Sequence, residues 1–275
     1  MSTAFKLFNW WLSKKNDQVA LNLIKHIARK KRISLLMTAY NEMGILKHHD
    51  HNSGEDYFIS SFLKDALKNE KHPVLFDVGA NKGDFANLLY AVFPAASIHA
   101  FEPIAASYLA LKANCRQSDL KLNNIGLGID PGKIAMYHYN DGFTNQHASI
   151  FPEVLTALHK QERIVQEEIT LDTVDNYCRE NGISKIDFLK IDTEGNELNV
   201  LKGARKMIAS CAVNIIQFEF NEMNIVSRVF LKDFYDLLDG YTFYRLNTQE
   251  LIPLGNYSPI HEIFHFQNII AIKSN

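Results

Sequence analysis

The chain has 275 residues, of which 47 % are apolar and 22 % are charged, close to the averages for folded globular proteins. These apolar side chains are sufficient to offset the entropy of ordering the backbone, which excludes a largely disordered protein. The 29 basic and 31 acidic side chains give a net charge of −2, whereas proteins that coat nucleic acids or anionic membranes carry a basic excess. We therefore expect no nucleic-acid partner.

The cysteines and the first residues of the chain indicate the cellular compartment in which the protein is expected. Three widely spaced cysteines provide neither a disulfide framework nor a Cys-x-x-Cys zinc pair. The apolar stretch near the start is too short for a signal peptide, and no run of about 18 apolar residues predicts a transmembrane helix. We therefore expect a cytoplasmic protein. The residues near the start include an apolar cluster, Phe5, Leu7, Phe8, Trp10 and Trp11. This cluster could contact a membrane interface, contact a partner subunit in a homo-oligomer, or pack within the N-terminal helices.

Residues 1–70 predict a helical N-terminal extension or lid. Apolar residues recur at helical spacing on both sides of a polar stretch at 48–54, and no strand pattern precedes residue 74. Within that stretch, His48, His49, Asp50 and His51 are adjacent and cannot all face one ion, which favours a solvated turn over a metal site.

Residues 71–275 predict an α/β domain. Strand-like runs at 74–78, 97–101, 120–127, 186–191 and 213–220 alternate with helical patterns, which is typical of a mostly parallel sheet covered on both faces. A further β-rich run covers 133–139. The last two strand-like runs, 241–246 and 268–272, predict a terminal pair that closes the sheet with an antiparallel edge strand.

A glycine turn between the first strand and the following helix predicts a nucleotide site. Gly79 and Gly83 let backbone N–H groups approach a ligand at the carboxyl end of a strand, where α/β sheets bind ligands. Glu102 ends the second strand 23 residues after Gly79, and an acidic residue about 20 residues after such a turn accepts ribose hydroxyls.

The turn is unlike those that bind pyrophosphate. A dinucleotide fingerprint requires glycine at 79, 81 and 84, but Asn81 and Asp84 occupy two of these positions, and no P-loop string occurs. The pattern E/D-x-G-x-G-x-G of class I methyltransferases fits better, with Asn81 in the middle position. Asp77 then faces the ammonium of the methionine end of S-adenosylmethionine, directly or through water.

A second group of carboxylates follows the strand at 186–191. Asp192 and Glu194 lie at the crevice and are candidates for the base that accepts a hydroxyl proton or for an anchor of the substrate. His147, in a polar loop, is an alternative base. For Glu197 a role at the helix N-terminus is favoured. Asp192 with Glu219 offers two oxygen ligands for Mg²⁺, but we predict no metal.

Five motifs, taken in order, resemble those of the FkbM-type S-adenosylmethionine-dependent methyltransferases, at residues 77–83, 101–103, 124–128, 171–172 and 187–197. The resemblance covers residues 54–273 and implies a class I methyltransferase (Rossmann-like) fold that methylates hydroxyls of glycan sugars or polyketide-type natural products. Gly126 stands where the family often has alanine, and about 50 N-terminal residues match no motif. The cofactor-binding residues predicted with these motifs are Asp77, Gly79, Ala80, Asn81, Gly83, Glu102, Pro103, Asn124 and Ile125.

The sequence thus predicts an S-adenosylmethionine-dependent O-methyltransferase that acts on a saccharide or small-molecule acceptor. The alternatives are an NAD-dependent oxidoreductase, which requires glycines where Asn81 and Asp84 stand, and a binding module that keeps the fold without turnover. S-adenosylhomocysteine, but not NAD, is expected to raise the melting temperature.

Overall fold

A computed structural model describes residues 17–45, 53–117, 119–139, 148–160 and 163–274. Two compact units divide the chain, Met1–Met43 and Gly44–Asn275. His147, the cluster at 48–51 and the aromatic residues at 5–11 all lie outside the described residues.

The described part of the first unit, residues 17–43, contains two helices, α1 (Asp17–Lys31) and α2 (Leu35–Glu42). Ser34 begins α2 as its N-cap, since its hydroxyl accepts the N–H of Met37 at 3.3 Å. Across the described ranges, no helix combines the length and the apolar character needed to cross a membrane.

The second unit begins well before the predicted boundary at 70/71. A continuous helical segment, α3, consists of Glu55–Tyr57, a π-helical part Phe58–Leu63, and Lys64–Ala66. Its apolar side chains belong to the core beneath the main sheet, which is why these residues are part of the second unit.

The main sheet of the described residues contains the strands β1 (Val74–Val78), β2 (Ser97–Phe101), β3 (Leu120–Asn123), β8 (Ile186–Ile191), β9 (Val213–Phe220), β10 (Tyr241–Asn247), β11 (Glu250–Pro253) and β12 (Gln267–Lys273). Their order in the sheet is β11-β10-β12-β9-β8-β1-β2-β3. Neighbours from β3 to β9 are parallel, which confirms the predicted α/β class.

Apolar side chains cover both faces of this sheet. One face packs against α3, α4 and α5, and the other against α6, α7, α8 and α10. Because the central strands are buried on both sides, their sequences are apolar runs without strict alternation. The bounds are α4 (Asp84–Val92), α5 (Ala105–Asn114), α6 (Val174–Glu180), α7 (Glu197–Lys202), α8 (Arg205–Ala209), α9 (Met223–Ser227) and α10 (Leu231–Leu237).

A second, smaller sheet has the order β4-β7-β5-β6 in the described part of the chain. The single strand predicted over 120–127 is therefore wrong, since β3 ends at Asn123 and the chain then enters β4 in the other sheet. The sheet contains β4 (Gly126–Leu127), β5 (Gly132–Tyr139), β6 (Ala148–Ser149) and β7 (Ile164–Asp172). A π-helical turn, Val154–Leu158, and a 3₁₀ turn, Pro259–His261, complete the described elements.

The antiparallel strand of the C-terminal pair is internal. β12 pairs with β9 on one side and with β10 on the other, both antiparallel. The carboxyl ends of β1, β2, β8 and β9 thus face the same edge of the sheet, where the candidate residues collect.

Candidate active site

The turn after β1 requires glycine at its first position. Gly79 has φ +87°, and a Cβ atom there would lie 1.8 Å from the backbone oxygen of Asp192. The N–H groups of Gly79 and Ala80 both donate to the carbonyl of Phe101, at 3.0 and 2.9 Å. The ends of β1, β2 and β8 are therefore held in close contact around this one residue.

The other positions of the turn explain the departure from a glycine-only motif. Asn81 has φ +47°, a left-handed conformation that asparagine tolerates better than most residues. Gly83 has φ +91°, and a Cβ atom there would lie 2.5 Å from the sulfur of Cys115. Asparagine in the middle position therefore keeps the same backbone turn.

Glu102 connects the turn to the end of β2. One carboxylate oxygen accepts the N–H of Asn81 at 2.9 Å, and the other accepts the N–H of Ile104 at 2.8 Å. The side chain is buried, and burial raises its pKa to about 7, although both backbone N–H groups oppose that rise.

Asn124 acts through the backbone beside Glu102. Its side-chain amide donates to the carbonyls of Glu102 and Pro103, at 2.9 and 3.0 Å. Ile125 packs against the core. Asn124 and Ile125 are outside the lining of the cavity described next, whereas Pro103 is part of it.

A first cavity opens between the main sheet and the small sheet and encloses about 730 Å³, including solvent at its mouth. The predicted residues that line it are Gly79, Asn81, Glu102, Pro103, Asp192 and Glu194. Sequence reasoning missed a largely apolar set, much of it from the small sheet: Ser107, Met136, Ala148, Ile150, Ile169, Leu171, Thr193 and Asn196. In the sequence, these lining residues are indicated only by the alternation of Ile134 and Met136 in the β-rich run at 133–139.

A second cavity lies on the other side of the turn. It is polar and charged, and Gly79, Asn81 and Asp192 line both cavities. The further residues that line it are Glu55, Asp56, Ala80, Lys82, Asp84, Phe85, Leu88 and Lys190. Sequence reasoning also missed Lys190, although it stands inside a quoted motif.

Lys190 is the charged centre of this second cavity. Its buried ammonium donates to Asp192 at 2.9 Å, lies 3.8 Å from Asp77, and is 4.5 Å from the centre of the Phe85 ring. Burial alone would lower the pKa of Lys190, yet the carboxylates of Asp192, Asp77 and Glu55 together raise it. Lys190 is therefore a permanent cation between carboxylates.

Asp77 is fully buried and lines neither cavity. Burial raises its pKa to about 6, while the charge of Lys190 opposes that rise. The predicted role of Asp77, facing a ligand ammonium, stays a prediction, and the ammonium that the structure places beside it is that of Lys190.

Asp192 and Glu194 both face the first cavity, as the sequence indicated. The N–H of Asp192 donates to the carbonyl of Val78 at 2.9 Å, which fixes it at the end of β1. Glu194 has φ +55°, and its carbonyl accepts the hydroxyl of Ser149 at 2.7 Å. The small sheet therefore holds the loop that carries both carboxylates.

Glu197 stabilises this loop from inside. One carboxylate oxygen accepts the N–H groups of Thr193 and Gly195, at 2.9 and 3.0 Å, and the Thr193 hydroxyl at 3.1 Å. Burial raises the pKa of Glu197 to about 7. These contacts agree with a role at the start of α7.

The described residues contain no group of three or more histidine, cysteine or acidic side chains suited to a metal ion. Glu219, considered with Asp192 as a Mg²⁺ ligand, accepts instead the side-chain amide of Asn221 at 3.1 Å. Burial, reinforced by the charge of Asp192, raises the pKa of Glu219.

The chain is similar in sequence to a family of known proteins. Residues 77–243, more than half of the chain, match the family model described as Methyltransferase FkbM domain. "Methyltransferase sdnD" of Sordaria araneosa is 29 % identical over 48 % of this chain and 60 % of its own length.

Two other relatives have names that specify what they act on. The "31-O-demethyl-FK506 methyltransferase FkbM" of Streptomyces tacrolimicus is 28 % identical over 55 % of this chain and 70 % of its own. The "Hexuronic acid methyltransferase AglP" of Haloferax volcanii is 26 % identical over 60 % of this chain and 62 % of its own. The chain thus spans 60–70 % of the length of these relatives.

The match agrees with the predicted resemblance to FkbM-type methyltransferases. With the glycine turn, Glu102 and Asp192 at one edge of a parallel sheet, the chain belongs to the FkbM methyltransferase domain family.

Proposed function

We propose that this chain is an S-adenosylmethionine-dependent O-methyltransferase whose acceptor is a hydroxyl of a sugar, in a glycan or glycolipid, or of a natural product. The observation that carries the proposal is the position of Asp192, which lines both cavities and is bound to Lys190. A carboxylate there would lie beside both ends of the methyl donor, and so near the sulfonium between them, where the acceptor hydroxyl has to approach.

The first cavity fits the nucleoside end of the methyl donor. Each oxygen of Glu102 accepts one backbone N–H, which leaves a further lone pair on each for the ribose hydroxyls. The apolar side chains of Met136, Ile169 and Leu171 provide a wall for an aromatic base.

The second cavity fits the amino-acid end, which carries an ammonium and a carboxylate. Lys190 offers a cation, and Glu55 and Asp192 offer anions, within one lining. Glu55 is held by the amide of Gln217, which donates to it at 2.7 Å. When bound, S-adenosylmethionine supplies a methyl group on a sulfonium, already activated for displacement.

The chain's own task in the reaction is to orient the acceptor and remove its proton. S-adenosylmethionine would supply the methyl group and leave as S-adenosylhomocysteine, and the Asp192 carboxylate would accept the proton that the acceptor hydroxyl gives up. The ammonium of Lys190 fixes the orientation of that carboxylate. Glu194 and the predicted alternative, His147, remain candidates for acceptor contacts.

The proposed class of acceptor is supported by the relatives, whose names specify a hexuronic acid and 31-O-demethyl-FK506. We place the reaction in the cytoplasm, which agrees with free thiols at Cys115, Cys178 and Cys211.

Binding and transfer test the proposal separately. S-adenosylhomocysteine at 100 times its Kd should stabilise the protein by about 2.7 kcal/mol in a thermal-shift titration, and NAD should not. Glu102→Gln should weaken S-adenosylhomocysteine binding roughly tenfold, because a hydrogen bond to a charged group is worth about 1.5–3 kcal/mol. The matched control Glu168→Gln, at an exposed position of β7, should bind normally.

Turnover is then followed with a labelled methyl donor and a panel of uronic acids, neutral sugars and hydroxylated polyketides. Label should enter the acceptor as a methyl ether that is stable to base. Binding without transfer to any member of the panel or to host extract would favour the non-catalytic module, and no binding of S-adenosylhomocysteine would contradict the proposal as a whole.

A further inference from the structure

The first unit exposes apolar side chains that the second unit's function does not use. In α1, Val19, Leu23, Ile24 and Ile27 are 43 %, 40 %, 49 % and 46 % exposed. Their spacing of three or four residues places them along one side of the helix, here called the apolar face. Soluble monomers rarely leave such a continuous apolar stripe in water, so the face has the character of a binding surface.

The opposite side of α1 is polar and basic. Gln18, Asn22, Lys25 and Arg29 follow each other at the same helical spacing, and the amide of Gln18 donates to Asn22 at 3.2 Å. Two more lysines end the helix, Lys30 and Lys31. A helix with one apolar face and a lysine- and arginine-rich polar face is the type that lies in the plane of a membrane interface.

The same exposure continues after α1. Ile33, Leu35, Leu36 and Met37 at the start of α2 all have exposed side chains. The two helices thus present apolar residues over most of residues 19–37.

Charge is strongly segregated between the two units. Residues 1–43 contain 8 basic and 2 acidic side chains, a net charge of +6, so the remaining 21 basic and 29 acidic side chains give residues 44–275 a net charge of −8. An anionic surface therefore attracts the first unit and repels the second.

We propose that α1 and the start of α2 bind the anionic phospholipid surface of a bilayer, with the apolar face inserted among the lipids and the basic residues at the headgroups. A second copy of this chain is a poorer occupant, because a symmetric contact would bring two units of charge +6 together. Nucleic acid is also poorer, because it offers nothing to cover the apolar face.

The experiment is flotation of the full-length protein with vesicles of phosphatidylcholine alone and with vesicles in which part of the lipid is phosphatidylglycerol. We expect binding to the anionic vesicles and a loss of that binding as salt is raised. Replacing Lys25, Arg29 and Lys30 by glutamine should lower the partition coefficient roughly 100-fold. Ile24→Ser with Ile27→Ser should lower binding to the same vesicles by a similar factor.

The matched control replaces Lys64, Lys112 and Lys206, three exposed lysines of the second unit, by glutamine. This control changes the net charge equally and should leave vesicle binding within about twofold of the unmodified protein. All variants should bind S-adenosylhomocysteine normally, which shows that the second unit is folded. Equal loss of binding in the control, binding independent of phosphatidylglycerol, or self-association without vesicle binding would each overturn the proposal.

Discussion

Asp192 combines the contacts that a proton acceptor needs at the scale of a single side chain. It lines both cavities, and Lys190 donates to it at 2.9 Å. Asp192→Asn keeps the size of the side chain but removes its capacity to take a proton. Turnover at saturating donor should fall by roughly 100-fold or more, a larger loss than the weaker S-adenosylhomocysteine binding expected when one anion of the second cavity is removed. The measurement is the rate of methyl transfer at saturating donor and acceptor.

The control for this variant is Asp130→Asn, because Asp130 is exposed and lines neither cavity. It should retain full turnover. If Asp192→Asn transfers methyl groups at the unmodified rate, Asp192 is not the base, and Glu194→Gln becomes the next variant to measure.

Substitution of Gly79 by alanine tests the close approach of β1 and β8. Alanine at this position must adopt φ +87° and place its Cβ 1.8 Å from the backbone oxygen of Asp192. Alanine at Gly182, also in the left-handed region at φ +66°, meets nothing within 4 Å. We expect Gly182→Ala to lower the free energy of unfolding by about 1 kcal/mol and Gly79→Ala by about 3 kcal/mol or more. Urea unfolding of both variants measures the difference, and equal losses would contradict the steric explanation.

Single residues were predictable where the chemistry is local in sequence. Gly79 and Glu102 follow the ends of strands, and Asp192 follows a third, so strand assignment alone placed them at one edge of the sheet. Lys190 was missed because a lysine inside an apolar strand gives no sequence signal of its own. Its function depends on Asp77, which lies opposite Lys190 in the pairing of β1 with β8.

At the scale of elements, β2 is joined to α6 by a buried polar chain. His99 bonds through its two ring nitrogens to Ser97 at 3.0 Å and to the Tyr177 hydroxyl at 2.8 Å, and Tyr177 donates to Asn123 at 3.2 Å. Burial, aided by the charge of Lys121, lowers the pKa of His99 to about 4. The surroundings of His99 therefore favour the neutral form of its imidazole.

This pKa gives a pH dependence of stability. An unfolded histidine titrates near pH 6.5, so between about pH 6.5 and 4 the unfolded state binds more protons than the folded state. The free energy of unfolding should fall by as much as about 3 kcal/mol as the pH is lowered through this window. His99→Phe keeps an aromatic ring beside Phe76, 5.0 Å from the present imidazole, and removes the titration.

The measurement is the difference in the free energy of unfolding between the two proteins as a function of pH. The raised pKa values of Asp77, Glu102 and Glu197 have the opposite pH dependence, but both proteins contain them, so their effect cancels. A flat difference between pH 4 and 7 would show that His99 titrates normally in the folded protein.

The small sheet shows where pattern reading of elements fails. Apolar residues recur through 120–127, at Leu120, Leu122, Ile125 and Leu127. Even so, β3 and β4 belong to different sheets, and between them Asn124 bonds back to the carbonyls of Glu102 and Pro103. β7 carries adjacent polar residues, and one of them, Glu167, accepts the N–H of Ala105 at the start of α5, at 3.0 Å. Such a tertiary contact between distant segments has no periodic signal.

At the scale of the whole molecule, the two compact units meet in sequence at 43/44, and the division at 70/71 stays a prediction. Sequence periodicity marks α1, α2 and α3 alike as helices and does not indicate which of them joins the sheet. The difference is in burial. The large apolar residues of α1 are exposed, whereas Phe58, Ile59 and Leu63 of α3 are fully buried, with Leu67 buried just after it.

Truncation distinguishes the two boundaries. A chain that begins at residue 71 loses four buried side chains of α3 and its end, worth about 6–12 kcal/mol, which is comparable to the whole stability of a typical domain, about 5–15 kcal/mol. It also leaves the buried amide of Gln217 without Glu55. We therefore expect this chain to be unfolded, whereas a chain that begins at residue 44 should melt cooperatively and bind S-adenosylhomocysteine like the full-length protein. Circular dichroism melting and ligand titration of both chains decide the matter, and a folded, ligand-binding chain from residue 71 would show that α3 is dispensable.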